Sequence, residues 1–280
     1  MRVVVVSAVA AGALWACSAV DLSAYSSGGP PAESADAGAE DGSSVAPGRD
    51  AEAGDAGAAD GGSGYRAAVM ADAPIAYWRL GESSGLDAKD EVGAHTGRYQ
   101  GAVTLGVPGV SDDGDTSLGL AGTNGSVRIG DVLDFEGNVS LSLEAWISVD
   151  VLDADYRRVL TKRRDETGYS IFCHENSGGC TVELRGADAA AAFCDVALTT
   201  GRWYHVVGTY DGATLRAYRD SVEVCSRPAA IAFSKVDAPL VLGAWPTGGN
   251  YFKGKLDEIA IYGAALSPAR VAAHFAHGRP

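Results

Sequence analysis

Short runs of alternating apolar and polar residues occupy most of the chain beyond residue 126. Each run is bounded by Gly, Asp, Asn or Pro. Because successive side chains of a strand point to opposite faces, this alternation predicts strands with one buried face. Short strands at such regular spacing favour an antiparallel, all-β, two-sheet jelly-roll sandwich. The runs are VRIG (127–130), SLSLEAWISV (140–149), RVLTKR (158–163), YSIFC (169–173), CTVELRG (180–186), WYHVVGTY (203–210), TLRAYR (214–219), SVEVC (221–225), PLVLGA (239–244) and KLDEIAIYG (255–263).

A segment near the end of the chain, 267–278, has a helical pattern instead. Ser267 is suited to cap the first turn, and Pro268 is suited to occupy it. Val271 and Phe275 are four residues apart and therefore share one face of a helix. The sequence thus predicts a sandwich that is followed by a short C-terminal helix.

Composition divides the chain into two parts. Residues 18–64 consist mostly of Ala, Gly, Ser, Asp, Glu and Pro, and Arg49 is their only basic residue. Such a segment cannot bury enough apolar surface to offset the entropy of ordering, so we expect a disordered linker. Residues 65–280 contain nearly all the aromatic residues and have no internal repeat. They are predicted to form one domain.

The first 17 residues have the features of an export signal. Their apolar stretch, 3–14, follows a basic second residue and is too short to span a bilayer. Leu14–Cys17 resembles a bacterial lipobox, in which Cys17 would be lipid-modified, and Ser18 resembles an outer-membrane sorting signal. The resemblance implies an outer-membrane lipoprotein of the cell envelope, periplasmic or surface-exposed, held at the membrane by its lipid anchor only. The alternatives are a signal that is cleaved elsewhere and an uncleaved anchor.

The charge balance limits the classes of partner. The chain has 36 Asp and Glu against 22 Lys and Arg, a net charge of −14. A nucleic-acid binder needs a basic surface to neutralise phosphates. We therefore expect no nucleic-acid partner.

Four longer motifs lie in the second part of the chain: YRAAVMADAPIAYWRLGESSG (65–85), SLSLEAWI (140–147), RWYHVVGTYDGATLRAYRD (202–220) and FKGKLDEIAIYGAALSPARV (252–271). In this order they resemble the laminin-G-like, concanavalin A-like jelly roll. The resemblance covers 65–280 and implies that fold. Asp220-Ser221 departs from it, because the family usually places Asp-Gly or Asn-Gly in this hairpin turn. Ser tolerates a positive φ poorly, which predicts a longer or differently shaped turn.

No pair of catalytic carboxylates is apparent. Laminarinase-type glucanases, which have this fold, carry Glu-x-Asp-x-x-Glu on one strand, so that the carboxylates share a face. This chain has no such run. Asp257 and Glu258 are adjacent and are predicted to lie on opposite faces, and Glu144 stands alone. We therefore expect a non-enzyme, with a degenerate glycosidase relative as a less favoured alternative.

The histidines form no metal-binding motif. His205 is predicted to pack within a strand, and His274 and His277 to lie on the surface of the helix. Calcium binds oxygen ligands, and the resemblance implies a candidate structural Ca²⁺ near the final strand, with Asp257 as a ligand. Alternatively, Asp257 bonds backbone amides or an arginine. The acidic stretch 111–115 is predicted to be a solvated loop, and no cofactor is required.

Cys173, Cys180, Cys194 and Cys225 form an even set in an exported domain, which predicts two disulfides with three possible pairings. A hairpin that turns within 174–179 would bring Cys173 opposite Cys180. This arrangement favours that pair and leaves Cys194 with Cys225.

Trp245 lies in a glycine-rich stretch, 245–251, that is predicted to be a loop. The apolar face of a sugar ring stacks on an indole, while its hydroxyl groups need polar partners. Trp245, Asn250 and Tyr251 are therefore the candidate ligand-binding residues. Alternatively, Trp245 covers one end of the sandwich.

The leading hypothesis is a non-catalytic, surface-tethered recognition lipoprotein that binds a polysaccharide or glycoprotein. The alternative is a protein–protein adhesion or envelope-assembly module that uses the same fold, without sugar binding, to bind another envelope or extracellular protein. An exposed aromatic residue beside polar groups in a groove would favour sugar, and a flat apolar patch would favour protein.

Overall fold

The computed structural model describes residues 61–110 and 114–279. The predicted signal segment 1–17, almost all of the predicted linker 18–64 and part of the acidic stretch 111–115 lie outside the described residues.

The described chain contains two α-helices and a series of mostly short strands. In chain order these are α1 (Gly61–Ala71), β1 (Ala76–Trp78), β2 (Asp87–Ala88), β3 (Gly97–Gln100), β4 (Val103–Pro108), β5 (Thr116–Ala121), β6 (Ser126–Gly130), β7 (Leu141–Val149), β8 (Arg157–Arg164), β9 (Thr167–His174), β10 (Gly179–Arg185), β11 (Ala191–Ala197), β12 (Trp203–Tyr210), β13 (Thr214–Arg219), β14 (Val222–Pro228), β15 (Leu240–Leu242), β16 (Lys253–Tyr262) and α2 (Pro268–Gly278).

The strands form two antiparallel sheets of eight strands each. The first sheet has the order β14-β13-β12-β7-β16-β5-β4, and β1 also pairs with β16. The second sheet has the order β11-β10-β9-β8-β15-β6-β3-β2. Strands that are far apart in sequence, such as β7 and β16, are neighbours, as is typical of a jelly roll. The predicted all-β sandwich is confirmed.

The main core lies between the two sheets. On β7, Leu143, Ala145 and Ile147 belong to this core, whereas Trp146 belongs to a second apolar cluster. The alternation predicted for this strand therefore separates two buried layers. No polar, solvent-facing side of β7 exists.

The second apolar cluster covers the other face of the first sheet. It contains Tyr65 and Val69 from α1, Val271 from α2, and Trp146 from β7, and Phe275 packs against it. The helix predicted near the C-terminus is confirmed, and the side chain of its cap accepts a hydrogen bond from the Arg270 amide. Helix α1 was not predicted, because its glycine-rich start has a low helix propensity and its stability depends on packing.

Two disulfides close the sandwich, as the sequence predicts. Cys173 and Cys180 lie opposite each other on β9 and β10, the arrangement expected of the hairpin. Cys194 on β11 is bonded to Cys225 on β14, which links an edge strand of the second sheet to an edge strand of the first. Disulfides persist in oxidising compartments and so indicate an extracellular or envelope location.

The turn between β13 and β14 differs from the prediction. It has only two residues between the strands, Asp220 and Ser221, with φ angles of 50° and 69°. The Asp220 carboxylate accepts a hydrogen bond from the amide of His205 at 3.0 Å, which holds the tight turn in place. The expectation of a longer or differently shaped turn is therefore wrong.

Candidate functional site

The outer face of the second sheet, which points away from the core, carries a row of mainly polar side chains. Strand register places Arg128 beside Val241, Val241 beside Thr161, Thr161 beside Ser170, and Ser170 beside Glu183. The row crosses five strands, from β6 to β10. We call this surface the outer face of the second sheet.

A cavity of about 690 Å³ opens on this face. Strands β6 and β15 contribute Ser126, Arg128 and Val241, and the loop after β15 contributes Trp245. The other lining residues are Gln100, Asn124, Arg163, Arg164, Asp165, Asp237, Ala238, Pro239, Ala244, Pro246, Thr247, Gly248 and Tyr251. We refer to it as the Trp245 cavity.

The indole of Trp245 is half-buried and is held by cations. The guanidinium carbon of Arg158 lies 4.7 Å from the ring centroid, and that of Arg163 lies 5.3 Å from it. The loop closes on itself, because the Trp245 amide donates to the Gly249 carbonyl at 3.0 Å and the Gly248 amide donates to the Trp245 carbonyl at 2.8 Å. These contacts fix the orientation of the ring on the cavity wall.

Of the residues predicted to bind ligand, the structure brings Trp245 and Tyr251 together on this wall. Asn250 does not line the cavity, and its backbone carbonyl accepts a hydrogen bond from the Arg158 amide at 2.9 Å. The cavity's side-chain amides are those of Asn124 and Gln100. Sequence reasoning missed both, because they come from segments more than a hundred residues before Trp245 and carry no local signal.

Arg163, which lines the cavity, and Arg158 and Arg185 behind it share one buried carboxylate. Glu183 pairs with Arg158 at 3.4 Å, Arg163 at 2.7 Å and Arg185 at 2.7 Å. Burial lowers the pKa of Arg158 to about 10 and also lowers the pKa of Arg163. In the part of the chain that the structure describes, the Nε groups of Arg158 and Arg163 are buried without a hydrogen-bond partner. The density of basic residues in β8 was the available sequence signal.

A second, smaller recess of about 280 Å³ lies on the same face. Its aromatic lining is Tyr156, Phe172 and Phe193, and Tyr156 is 46% exposed. The guanidinium carbon of Arg158 is 4.7 Å from the Phe172 ring centroid, the same distance as from Trp245. Arg158 therefore lies between the Trp245 cavity and this aromatic recess.

Buried Lys162 anchors the loop beside the cavity. Its ammonium group contacts Asp131 at 2.5 Å and Asp134 at 3.2 Å, and donates to the Ala238 carbonyl at 2.7 Å. Ala238 itself lines the Trp245 cavity. A core-facing side chain of β8 thus positions one wall of the site.

A separate cluster of carboxylates lies by the final strand. Asp115, Asp257 and Glu258 offer oxygens that all lie within 4.8 Å of one another. The prediction that Asp257 and Glu258 lie on opposite faces is wrong. Strand β16 bulges against β7 between Asp257 and Ala260, and Glu258 has a φ of 51°. A bulge breaks the alternation of side chains and so brings adjacent acids together.

This acidic cluster contains three carboxyl groups and one guanidinium group. Arg79 bonds both Asp115 and Glu258 at 3.0 Å. Burial and nearby carboxylates raise the pKa of Asp257, and burial raises the pKa of Glu258 to about 8. One oxygen of Asp257 accepts from the Val110 amide, whereas the other is buried without a partner among the described residues. Three carboxylates around such an oxygen fit the donor set that Ca²⁺ prefers.

Asp115 is half-buried within this cluster, so the expectation of a solvated loop does not hold for it.

A third buried cluster joins the helices to the first sheet. Glu144 on β7 accepts hydrogen bonds from Tyr65 at 2.8 Å and Tyr262 at 2.6 Å, and it contacts His205 at 2.7 Å and His274 at 3.0 Å. The expectation that His205 packs within a strand is confirmed. The surface location predicted for His274 is wrong, since this side chain is fully buried, whereas His277 is exposed.

The charges of this Glu144 cluster stabilise one another. Burial alone would raise the pKa of Glu144, but hydrogen bonds from His205 and His274 hold it far below its usual value. Burial likewise opposes the charged form of His274, but its bonds with Glu144 and Asp72 keep its pKa above the ordinary value. The cluster lies under both helices, and its geometry indicates a structural role.

Comparison with known proteins identifies the family. Residues 121–272, more than half of the chain, match the family described as the concanavalin A-like lectin/glucanases superfamily. The chain belongs to this family, and the laminin-G-like resemblance is confirmed. No curated protein sequence matches the chain. Neither helix of the described residues has the length and apolar character needed to cross a bilayer.

Solved structures share the fold at low sequence identity. Domain 4 of AbnA, an extracellular GH43 arabinanase from Geobacillus stearothermophilus determined with arabinotriose, is 20% identical with a TM-score of 0.54, over 72% of this chain and 97% of that domain. The binding domain of Paraclostridial Mosquitocidal Protein 1 is 16% identical with a TM-score of 0.56, over 70% of this chain and 52% of that one. The binding domain of botulinum neurotoxin DC, in complex with SialylT, is 11% identical with a TM-score of 0.56, over 73% and 51%. The chain thus spans about half the length of these toxin domains.

Proposed function

We propose that this protein is a non-catalytic recognition module that binds a polysaccharide or glycoprotein glycan in the Trp245 cavity. The proposal rests on the half-buried indole of Trp245, which lies beside Tyr251 on the cavity wall. The same cavity also presents Asn124, Gln100 and Arg128. An aromatic wall with a few convergent polar groups is the usual composition of a small-ligand site. It matches a sugar ring, which has an apolar face and a polar edge.

The fold relatives support a glycan as the ligand class. One of them was determined with arabinotriose and another with SialylT, and cell entry of botulinum neurotoxin type C depends on interaction with two ganglioside molecules. These ligands belong to those proteins. They support the ligand class, most directly through domain 4 of AbnA, because this chain covers 97% of that domain.

The acids of the cavity support binding without catalysis. A glycosidase needs a carboxyl group whose surroundings keep it protonated and a second carboxylate at a fixed separation. Asp165 and Asp237 line the cavity, but both are exposed, and Asp237 pairs with Arg164 at 2.7 Å. Neither acid has the sheltered position of a general acid. The degenerate glycosidase relative remains the less favoured alternative.

The proposed setting is the bacterial envelope. Lipidation at Cys17 would hold the protein at the outer membrane, and the predicted linker would separate this anchor from the folded domain. The disulfides and the export-signal pattern of 1–17 support this setting. The domain would then reach polymers near the membrane surface.

We include a structural Ca²⁺ in the proposal. Asp115, Asp257 and Glu258 would hold it, and the ion would supply the positive charge that Arg79 alone does not provide. The unpartnered oxygen of Asp257 supports this assignment. Two members of the cluster lie on β16 and Asp115 immediately precedes β5, so the ion would act on stability.

The second candidate function is protein–protein adhesion or envelope assembly without sugar binding. It is favoured by the aromatic recess, where Tyr156 and Phe193 are 46% and 39% exposed. Exposed aromatic residues are enriched at protein interfaces. The recess is small, however, and it lies beside polar Thr181 and Asp195.

A glycan array probed with the purified full chain separates the two functions. We expect retention on a chemically related group of glycans and competition by the same glycans in solution. Retention on no glycan, together with capture of an envelope protein that Tyr156→Ala abolishes, would favour the adhesion function.

A further inference from the structure

The distribution of charge around the Trp245 cavity differs from that of the whole chain. The protein has a net charge of −14, whereas the cavity and the cluster behind it contain more guanidinium groups than carboxylates. The guanidinium groups belong to Arg128, Arg158, Arg163, Arg164 and Arg185, and the carboxylates to Asp165, Glu166, Glu183 and Asp237. The outer face of the second sheet is thus locally basic on an acidic protein.

Burial makes this positive charge more effective. Arg158 and Arg163 are 7% and 5% exposed, and among the described residues Glu183 is the only carboxylate they pair with, which they share with Arg185. The acids other than Glu183 are exposed, where solvent and salt screen them. Charges in a poorly hydrated site interact more strongly than exposed ones. The positive charge of the arginines therefore outweighs the negative charge of the exposed acids inside the cavity.

Arg128 provides a cation that no acid neutralises. It is exposed on β6, lines the cavity, and donates to the Pro246 carbonyl at 3.1 Å. Within residues 61–110 and 114–279, no carboxylate forms an ion pair with it. The planar guanidinium group matches a carboxylate or sulfate group through two parallel hydrogen bonds. A neutral sugar would leave this capacity unused.

We infer that the Trp245 cavity selects an anionic glycan, one that bears carboxylate or sulfate groups, and that Arg128 and Arg163 contact the acidic group. This inference rests on the proposed function, because it names the ligand class of the same site. Trp245 provides the stacking surface in either case. The arginines then decide between acidic and neutral polymers.

The test compares polymers that differ only in charge. The purified full chain is titrated with polygalacturonate and its methyl ester, and with a sulfated galactan and its desulfated form. We expect at least one acidic polymer to bind at least about tenfold more tightly than its neutral counterpart, a difference of ~1.4 kcal/mol, and to weaken as salt rises. The two pairs show whether carboxylate or sulfate is recognised.

Arginine variants locate the effect. Arg128→Gln should weaken binding of the acidic polymer about tenfold, ~1.4 kcal/mol, and Arg128→Lys should restore part of the affinity because it keeps the charge. Arg227→Gln is the matched control, since Arg227 is exposed on β14 of the other sheet. Melting curves of all three variants establish that they are folded.

Each other outcome overturns the inference in a distinguishable way. Equal affinity for acidic and neutral polymers, with loss on Trp245→Ala, would reject anion selectivity and leave the proposed sugar site intact. Acidic binding that Arg128→Gln leaves unchanged would place the anion elsewhere. Failure to bind any of these polymers or any glycan of the array would reject both proposals.

Discussion

His274 and Glu144 contact each other at 3.0 Å although 130 positions separate them in the chain. His274 lies on α2 and Glu144 on β7, and both side chains are fully buried. The contact fastens the last helix to the middle of the first sheet. A buried charge needs its partner, so this pair couples stability to the protonation of His274.

Stability should fall with increasing pH because of this pair. The pKa of His274 is raised in the folded state above its usual 6.5, so its contribution is complete below pH 6.5 and disappears as pH rises through the folded-state pKa. One such proton changes the free energy of unfolding by at most about 1.4 kcal/mol per pH unit. Urea unfolding from about pH 6 to about pH 9 measures it, with His274→Gln for comparison.

The comparison isolates His274 from other groups that titrate in this range. Glu258, whose pKa is about 8 in the folded state, also makes the free energy of unfolding fall as pH rises. The native chain and the His274→Gln variant both contain Glu258, so it does not contribute to the difference between them. Tyr65, Tyr262 and Asp72 also face His274 or its partner and are unchanged in the variant. A variant whose stability falls as steeply as that of the native chain would contradict this account.

The two disulfides should contribute unequally. Cys194 and Cys225 are separated by 31 positions, and Cys173 and Cys180 by 7. In the chain-entropy treatment the longer loop stabilises by about 3–4 kcal/mol and the shorter by about 2 kcal/mol. We expect the Cys194→Ala/Cys225→Ala double variant to have a lower free energy of unfolding than the Cys173→Ala/Cys180→Ala variant. The reverse order in denaturant titrations would be inconsistent with this expectation.

Calcium should raise the melting temperature if it binds the acidic cluster. Adding millimolar CaCl₂ should stabilise the native chain by RT ln(1 + [Ca²⁺]/Kd), about 2.7 kcal/mol at a hundredfold excess over Kd. Asp257→Asn should abolish this response, because it removes the central carboxylate. The exposed residue Glu136 provides a matched control as Glu136→Gln. Equal melting temperatures of the native chain in CaCl₂ and in EDTA would reject the site.

Lipid attachment should depend on Cys17. Cys17→Ser removes the acceptor thiol of the lipobox-like segment, so we expect no incorporation of a labelled fatty acid and loss from the membrane fraction. Ser18→Ala keeps the thiol and should retain the label. Labelling and membrane retention that persist in Cys17→Ser would contradict the predicted anchor.

The parts of the fold that repeat a local pattern were predictable. The alternation in 140–149 and the Ser267-Pro268 start of α2 each carry their information within a few residues. Strand β11 was missed because its alternating residues, Ala191–Ala197, are mostly small. Helix α1 was missed because tertiary packing of Tyr65 and Val69 outweighs its poor local propensity.

The candidate site was predictable only in part. Trp245 and Tyr251 could be proposed from the sequence because an aromatic residue in a glycine-rich loop is a local signal, and both line the cavity. The sharing of Glu183 by Arg158 and Arg163 depends on the register of three strands. Asp257 and Glu258 lie close together because of a bulge in β16, whereas alternation alone predicts that they lie on opposite faces.

The Trp245 cavity is the centre of this account. Trp245→Ala removes the stacking surface but little core packing, since the indole is half-buried and belongs to neither apolar cluster. Trp203→Ala is the control for a tryptophan away from the cavity, because Trp203 is also half-buried but lies on β12 of the first sheet. Trp203 packs against the second apolar cluster, so a fall in the melting temperature of this control is expected.

The most direct measurement is therefore calorimetric titration of native chain, Trp245→Ala and Trp203→Ala with the best glycan of the array, alongside their melting curves. We predict that Trp245→Ala lowers affinity about tenfold or more, at least ~1.4 kcal/mol, with little change in melting temperature, while Trp203→Ala keeps full affinity. Unchanged affinity in Trp245→Ala would contradict the sugar site. A large fall in its melting temperature, corresponding to about 3–5 kcal/mol, would instead show that Trp245 is a core residue.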